Sequence, residues 1–200
     1  MKYKKLNSAA KQHALEKFSE NLFDDWYEYT IEDAKEQGKE KGFEIEEIYF
    51  SGFWSQGDGA SWKGSVDLLI YVEKNPELFS DGQGQIFSAL LDHGAYSSVC
   101  YVKQSDSHYS HEHTMLVDDI EFSGYDDNIA EGIMKGAEVQ VLQEALGERY
   151  LLDVAQGVQE AARDYARKVY RDLEAEYEYQ TSEAALLEAD YDFDEDGVMQ

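Results

Sequence analysis

Apolar residues recur at helical spacing over residues 7–36, where Ala14, Leu15, Phe18, Leu22, Phe23, Trp26 and Tyr29 form one stripe. The spacing predicts a helix capped by Asn7 or Ser8 and ended by Gly38 and Gly42. Residues 44–53, EIEEIYFSGF, read as a strand. Ile45, Ile48, Tyr49, Phe50 and Phe53 break strict alternation there, which predicts a bulge near Ser51-Gly52. Residues 60–72, ASWKGSVDLLIYV, read as a strand or as a strand running into a short helix. Between the two lies SQGDG, whose Gly57 and Gly59 supply the backbone freedom of a tight hairpin tip.

Further along, Asn75-Pro76 predicts the start of a helix over 76–95. Its apolar face is Ile86, Phe87, Leu90 and Leu91, and Gly82 and Gly84 break it into two pieces. Residues 97–104 and 108–122 read as a second hairpin turning at Gln104-Ser105-Asp106-Ser107. Two helices follow, over 128–147 with Gly147 as its stop and over 149–179, each with an apolar stripe from Ile129 to Leu146 and from Leu151 to Leu173. A short helix capped by Thr181 or Ser182 covers 181–189. Helix, hairpin, helix, hairpin, helix, helix is an α+β order: an antiparallel sheet of about four strands packed against several helices. Residues 1–173 are expected to form one domain, with 174–200 an acidic extension packed on it or projecting from it.

Composition changes this picture mainly through charge. The chain has 200 residues and is 42% apolar and 14% aromatic, enough for a real core. It carries 43 acidic against 17 basic residues, a net charge of −26. Such a field repels nucleic-acid backbones and attracts basic surfaces, so the expected partner is a basic protein rather than DNA or RNA. The stretch from Glu174 onward has ten acids and no Lys or Arg, interrupted by Tyr177, Tyr179, Leu186, Leu187, Tyr191 and Phe193. Glu174, Glu176, Glu178, Glu188, Asp190, Asp192, Asp194 and Asp196 are therefore the candidate partner-binding residues. No stretch approaches eighteen apolar residues, and the start MKYKKLNSAAKQHA lacks an apolar segment after its bases, so a cytoplasmic, unanchored protein is expected. A homodimer is compatible with these features.

Candidate chemistry is sparse. Cys100 is alone, in the apolar run Val99-Cys100-Tyr101-Val102, and reads as a buried strand residue rather than a nucleophile. In HYSHEH, residues 108–113, a strand would place His111 and His113 on one face, with His108 and Glu112 on the other. Those two imidazoles are the residues to consider for zinc; structural or solvent-exposed histidine is the simpler reading, and no cofactor or metal is expected. DFDEDG, residues 192–197, matches the first half of a calcium loop but ends before the glutamate of the twelfth position. Trp54, Gln56, Asp58 and Trp62 around the 51–62 turn, with His111, are candidate ligand contacts. If the turn and the histidine strand line one pocket, Gln56, Asp58, His111 and His113 come together.

SGFWSQGDGAS (51–61), SHYSHEHTM (107–115) and YRDLEAEYEYQTSEAALLEADYDFDEDG (170–197) resemble a family of small acidic proteins encoded by tailed phages and prophages, some with an antitoxin-like label. The start LNSAAKQHALEKF and Trp26-Tyr27 fit the same pattern, while Ser107 stands where Gly is usual and Trp62 where Phe is more common. The resemblance implies a phage-encoded accessory protein of the bacterial cytoplasm and assigns no reaction or catalytic residue. With the charge, it sets the leading expectation: an inhibitor that presents nucleic-acid-like negative charge to a host nuclease or other defence protein. A small-ligand or metal-binding enzyme using the 54–62 turn and the 108–113 strand, and an antitoxin-like partner of a basic toxin, are the alternatives.

Overall fold

The computed structural model describes residues 1–22, 24–105, 109–121 and 136–200. Phe23, Asp106, Ser107, His108 and the first part of the helix expected from 128 lie outside the described residues. The protein is α+β, with one antiparallel sheet in the order β1-β2-β3-β4. Two compact units divide the chain, residues 1–33 with 171–200 and residues 34–170.

The larger unit holds the sheet. β1 (Phe43–Phe50) pairs with β2 (Ala60–Asp67), β2 with β3 (Val99–Gln104), and β3 with the short β4 (Met115–Val117). Period-2 alternation places Trp62, Val66, Cys100 and Val102 on the inner face, each 2% exposed or less, while Val99 and Tyr101 face outward. The register irregularity of β1 falls between Ile45 and Glu47, not at Ser51-Gly52 as the alternation suggested. Its cause is opposite, in β2: Gly64 has φ +154°, and a Cβ there would lie 2.1 Å from the Glu44 carbonyl oxygen. Only glycine lets β1 approach this closely.

β2 runs directly into α3 (Leu68–Lys74), because the Asp67 carboxylate accepts from the amides of Leu69 and Ile70 at 2.9 and 3.1 Å. α4 (Gly82–Asp92) begins six residues later than Asn75-Pro76 suggested. That dipeptide only forms turns, and Asp81 caps the helix through the Gly84 amide at 2.6 Å. α5 (Gly136–Leu146) ends at Gly147, φ +76°, as expected. α6 (Glu148–Gln180) presents Val154, Val158, Ala162, Tyr165, Ala166 and Val169 as a buried stripe at helical spacing. Trp62 meets this stripe: its indole N–H donates to the Ala162 carbonyl at 3.1 Å, and its ring packs on Phe43, which in turn packs on Tyr165.

The helix expected over 7–36 is two helices, α1 (Ser8–Glu20) and α2 (Glu28–Lys39). α1 is capped by Asn7, whose side chain accepts from the Ala10 amide at 3.0 Å. In the smaller unit Tyr3, Leu6, Ala10 and Ala14 pack with Leu186 of α7 (Glu183–Glu188) and with Phe193. The acidic stretch after α7 is thus packed by its apolar residues. Lys2 pairs with Asp192 in an antiparallel bridge, and Gly197 sits where a Cβ would lie 2.1 Å from the Ala10 carbonyl oxygen. Among the described residues no helix is long and apolar enough to cross a membrane.

Gly64→Ala is expected to lower the unfolding free energy by about 3 kcal/mol, combining left-handed strain with overpacking against β1. The measurement is the urea midpoint; an unchanged midpoint contradicts the close β1–β2 approach.

Candidate functional site

The loop 51–59 is longer than a tight hairpin tip, and its own side chains close it. The Ser51 amide donates to the Gly59 carbonyl at 3.1 Å, and the Gly59 amide donates back to the Ser51 hydroxyl at 3.0 Å. The Asp58 carboxylate accepts from the amides of Trp54 at 3.0 Å and Ser55 at 2.6 Å. Asp58 is therefore spent on holding the turn. Gly57 has φ +100°, but Gly59 is needed for a different reason than the reversal. A Cβ on it would lie 2.9 Å from His111 Cδ2 and 3.2 Å from the Ser110 carbonyl oxygen. The structure thus brings the turn against the histidine segment. Gln56 is exposed, Trp54 is 77% exposed, and Trp62 lies in the core, 1% exposed, away from any ligand in solvent.

Over the described residues 109–114 the histidine segment is not a strand. His111 caps a 3-10 turn, Glu112–Thr114, and Thr114 closes it by donating its amide (3.0 Å) and hydroxyl (2.7 Å) to the His111 carbonyl. This changes the period from two to three. Glu112, which a strand would turn away from both histidines, instead lies against them. Its Oε2 is 2.9 Å from His111 Nδ1, its Oε1 is 3.9 Å from His113 Nε2, and the two imidazoles stack with centroids 4.7 Å apart. Glu112 is 8% exposed, and Arg167 of α6 reaches its Oε1 at 3.5 Å while also pairing with Asp164. Arg163, one turn earlier, donates to the Met115 carbonyl at 2.8 Å and to the His113 carbonyl at 3.4 Å. Sequence reading passed over these two arginines. Their spacing, four apart in a helix of an acidic chain, was the available signal, since like charges there need partners from elsewhere.

The acidic candidates fall in the smaller unit and differ in what holds them. Glu176 accepts from Gln180 Nε2 at 2.7 Å, and Glu188 accepts from the Tyr179 hydroxyl at 2.7 Å. That bond holds the Tyr179 phenol above its ordinary pKa. Lys2 Nζ lies 3.3 Å from Asp190 and 3.4 Å from Asp192. Asp194 Oδ1 accepts from the amides of Asp196 and Val198 at 3.0 and 2.9 Å, closing a turn with Gly197 at φ +85°. The half-match to a calcium loop is thus explained by a carboxylate folded onto backbone amides. Glu174 is half-buried, whereas Glu178 and Asp196 are exposed. A cleft of about 550 Å³ in this unit is lined by Phe18, Tyr179, Glu188, Tyr191 and Met199. In the larger unit, a cleft of about 330 Å³ gathers Lys41, Lys74 and Lys168 around Tyr71 and Tyr165, so the negative surface is not uniform.

Cys100 is buried in β3, and burial, with a smaller contribution from Asp118, pushes its thiol up to about 12. It is no nucleophile at neutral pH. The native chain is expected to resist iodoacetamide at pH 8 and to react once unfolded in urea. The raised value also contributes stability that is complete below the ordinary thiol value of 9.0 and is lost as pH rises through about 12. Cys100→Ala should flatten that part of a stability–pH curve. Asp58→Ala should cost about 1 kcal/mol and speed hydrogen exchange at the Trp54 and Ser55 amides specifically; unchanged exchange contradicts its turn-holding role.

A family model described as Domain of unknown function (DUF8835) matches residues 26–183, and the chain belongs to that family. The match includes the 51–59 turn, the 111–114 turn and all of α6; it excludes the residues of the bridge between Lys2 and Asp192. No curated protein and no solved structure matches the chain significantly.

Proposed function

We propose that this DUF8835 protein is an acidic interaction protein, encoded by a tailed phage or prophage, that acts in the bacterial cytoplasm. It docks onto the cationic groove of a host nucleic-acid-binding or defence protein and blocks it. One observation carries the reading: the unit made of residues 1–33 and 171–200 has eighteen acidic residues against six basic ones and still folds around its own apolar core.

A folded acidic surface differs from a disordered acidic tail in how it binds. Glu174 and Glu178 are one turn apart on α6, so their carboxylates project from one face, about 5–6 Å apart at Cβ. Glu183 and Glu188 on α7 and Glu195 and Asp196 beyond it are exposed. Held in place, these charges keep the field without the ordering entropy that a disordered tail would lose on binding. Duplex DNA presents one charge per ~1.7 Å of axis, a density this surface does not reach, so the reading requires a similar field rather than a copied backbone. The phage origin is supported by the SGFWSQGDGAS, SHYSHEHTM and 170–197 segments alone.

The test is competition with labelled duplex DNA for a basic nuclease or other DNA-binding protein of the host. The protein is expected to displace DNA at 50 mM salt and to lose affinity at least tenfold by 200 mM. The variant Glu174→Gln/Glu178→Gln/Glu183→Gln/Glu188→Gln should bind at least tenfold more weakly with its circular dichroism unchanged. Binding indifferent to both salt and variant overturns the proposal.

A further inference from the structure

We propose that His111, Glu112 and His113 form a site for one divalent transition-metal ion, with zinc the best fit to its donors. This is independent of the acidic surface: the residues lie in the larger unit, and their chemistry is nitrogen-based.

Each of the three side chains offers one ligand atom, and these atoms lie within 4.8 Å of one another. Around a tetrahedral zinc with bonds of ~2.1 Å, ligand atoms lie roughly 3.4 Å apart. The 3-10 turn has placed the three on one side; the two rings stack with planes 19° apart, so the exposed His113 ring turns about its side-chain torsions to aim its lone pair at the same ion as His111. Two groups compete for His111 Nδ1, and neither satisfies it together with the other. His111 Nδ1 faces Glu112 Oε2 at 2.9 Å and the His113 backbone N–H at 3.2 Å. A ring nitrogen has one in-plane position. With a proton it donates to the carboxylate and opposes the amide; with a lone pair it accepts from the amide and opposes the carboxylate. A metal ion between nitrogen and oxygen is bound by both the lone pair and the carboxylate, and takes the place of the His113 N–H at Nδ1.

The surroundings hold the ligands in place. Gly59 packs on the His111 ring, and Arg163 holds the His113 and Met115 carbonyls. Arg167 engages Oε1 of Glu112, which directs the other oxygen to His111. The His111 and Glu112 side chains are 24% and 11% exposed, while His113 is 75% exposed. The site is therefore walled on one side and open on the other. Two histidines and one carboxylate with an open position is a donor set that suits zinc and disfavours magnesium or calcium.

The experiment is a titration of the full-length protein with Co²⁺, read by visible absorption, followed by displacement with Zn²⁺. Both are done in 10 mM Mg²⁺ so that diffuse binding to surface carboxylates is saturated. One equivalent of Co²⁺ with the intense bands of a four-coordinate nitrogen and oxygen site, lost on adding one equivalent of Zn²⁺, is expected. His113→Ala, at an exposed position, should weaken binding at least tenfold without changing circular dichroism. The near-isosteric Glu112→Gln should do the same. No stoichiometric binding, or affinity unchanged in His113→Ala, overturns the proposal.

Discussion

The larger unit depends on how Trp62 is enclosed. Its indole sits where β2 faces α6, and the neighbouring positions suit its size and its one polar atom. Ala162 supplies a carbonyl at 3.1 Å and no bulk; Phe43 and Tyr165 close the side. An indole N–H shut away from water without an acceptor costs ~1–3 kcal/mol, so this bond fixes the position of α6 along the sheet as well as its distance from it. Arg163, the next residue after Ala162, and Arg167, about 1.4 turns past it, are thereby delivered to the Met115 carbonyl and to Glu112. A buried aromatic on one strand thus sets the position of the charged side chains that meet the 111–114 turn.

The smaller unit solves a different problem. Eighteen acids on the two segments 1–33 and 171–200 repel one another, and repulsion opposes compaction. Cations offset part of this: Lys2 lies against both Asp190 and Asp192, the terminal amine is 4.0 Å from Asp192, and Lys17 pairs with Glu20. These pairs are exposed and individually worth little. The larger contribution comes from Tyr3, Leu6, Leu186 and Phe193, whose burial joins the two ends of the chain.

Most elements were legible because their apolar spacing matched one period over enough residues. The α6 stripe from Val154 to Val169 and the alternation through Cys100 and Val102 are such cases. Errors arose where a short-range backbone interaction overrode periodicity. The stripe through Leu22 and Trp26 ran across the break between α1 and α2, because residues on a stripe do not show whether the backbone between them stays helical. Asp81 outcompeted Pro76 as the start of α4, since a carboxylate that satisfies an amide caps more strongly than a residue that merely lacks one. At 111–114 a hydrogen-bonded 3-10 turn replaced the strand and reversed the side on which Glu112 lies. The glycines at 59, 64 and 197 were visible as letters, but not the backbone or ring that each must admit. The expectation set Gln56, Asp58, His111 and His113 together on neighbouring strands; the structure shows Gly59 against the His111 ring instead, with Asp58 bound to its own turn and the arginines of α6 beside Glu112.

Negative charge and metal binding are separate matters in this molecule. A surface field raises the local concentration of every divalent cation alike and is screened over ~8 Å at physiological ionic strength, so it confers no choice among ions. Carboxylates add oxygen donors, which favour magnesium and calcium. At the 111–114 turn the guanidinium of Arg167 offsets part of the Glu112 charge, which weakens any ion that relies on that charge alone. An ion held mainly by the two imidazoles loses less from the same neighbour, because imidazole binding draws on a lone pair rather than on net charge. In a chain of net charge −26, an arginine beside the buried carboxylate therefore sharpens the preference for a nitrogen-seeking metal over the hard cations that the rest of the surface attracts.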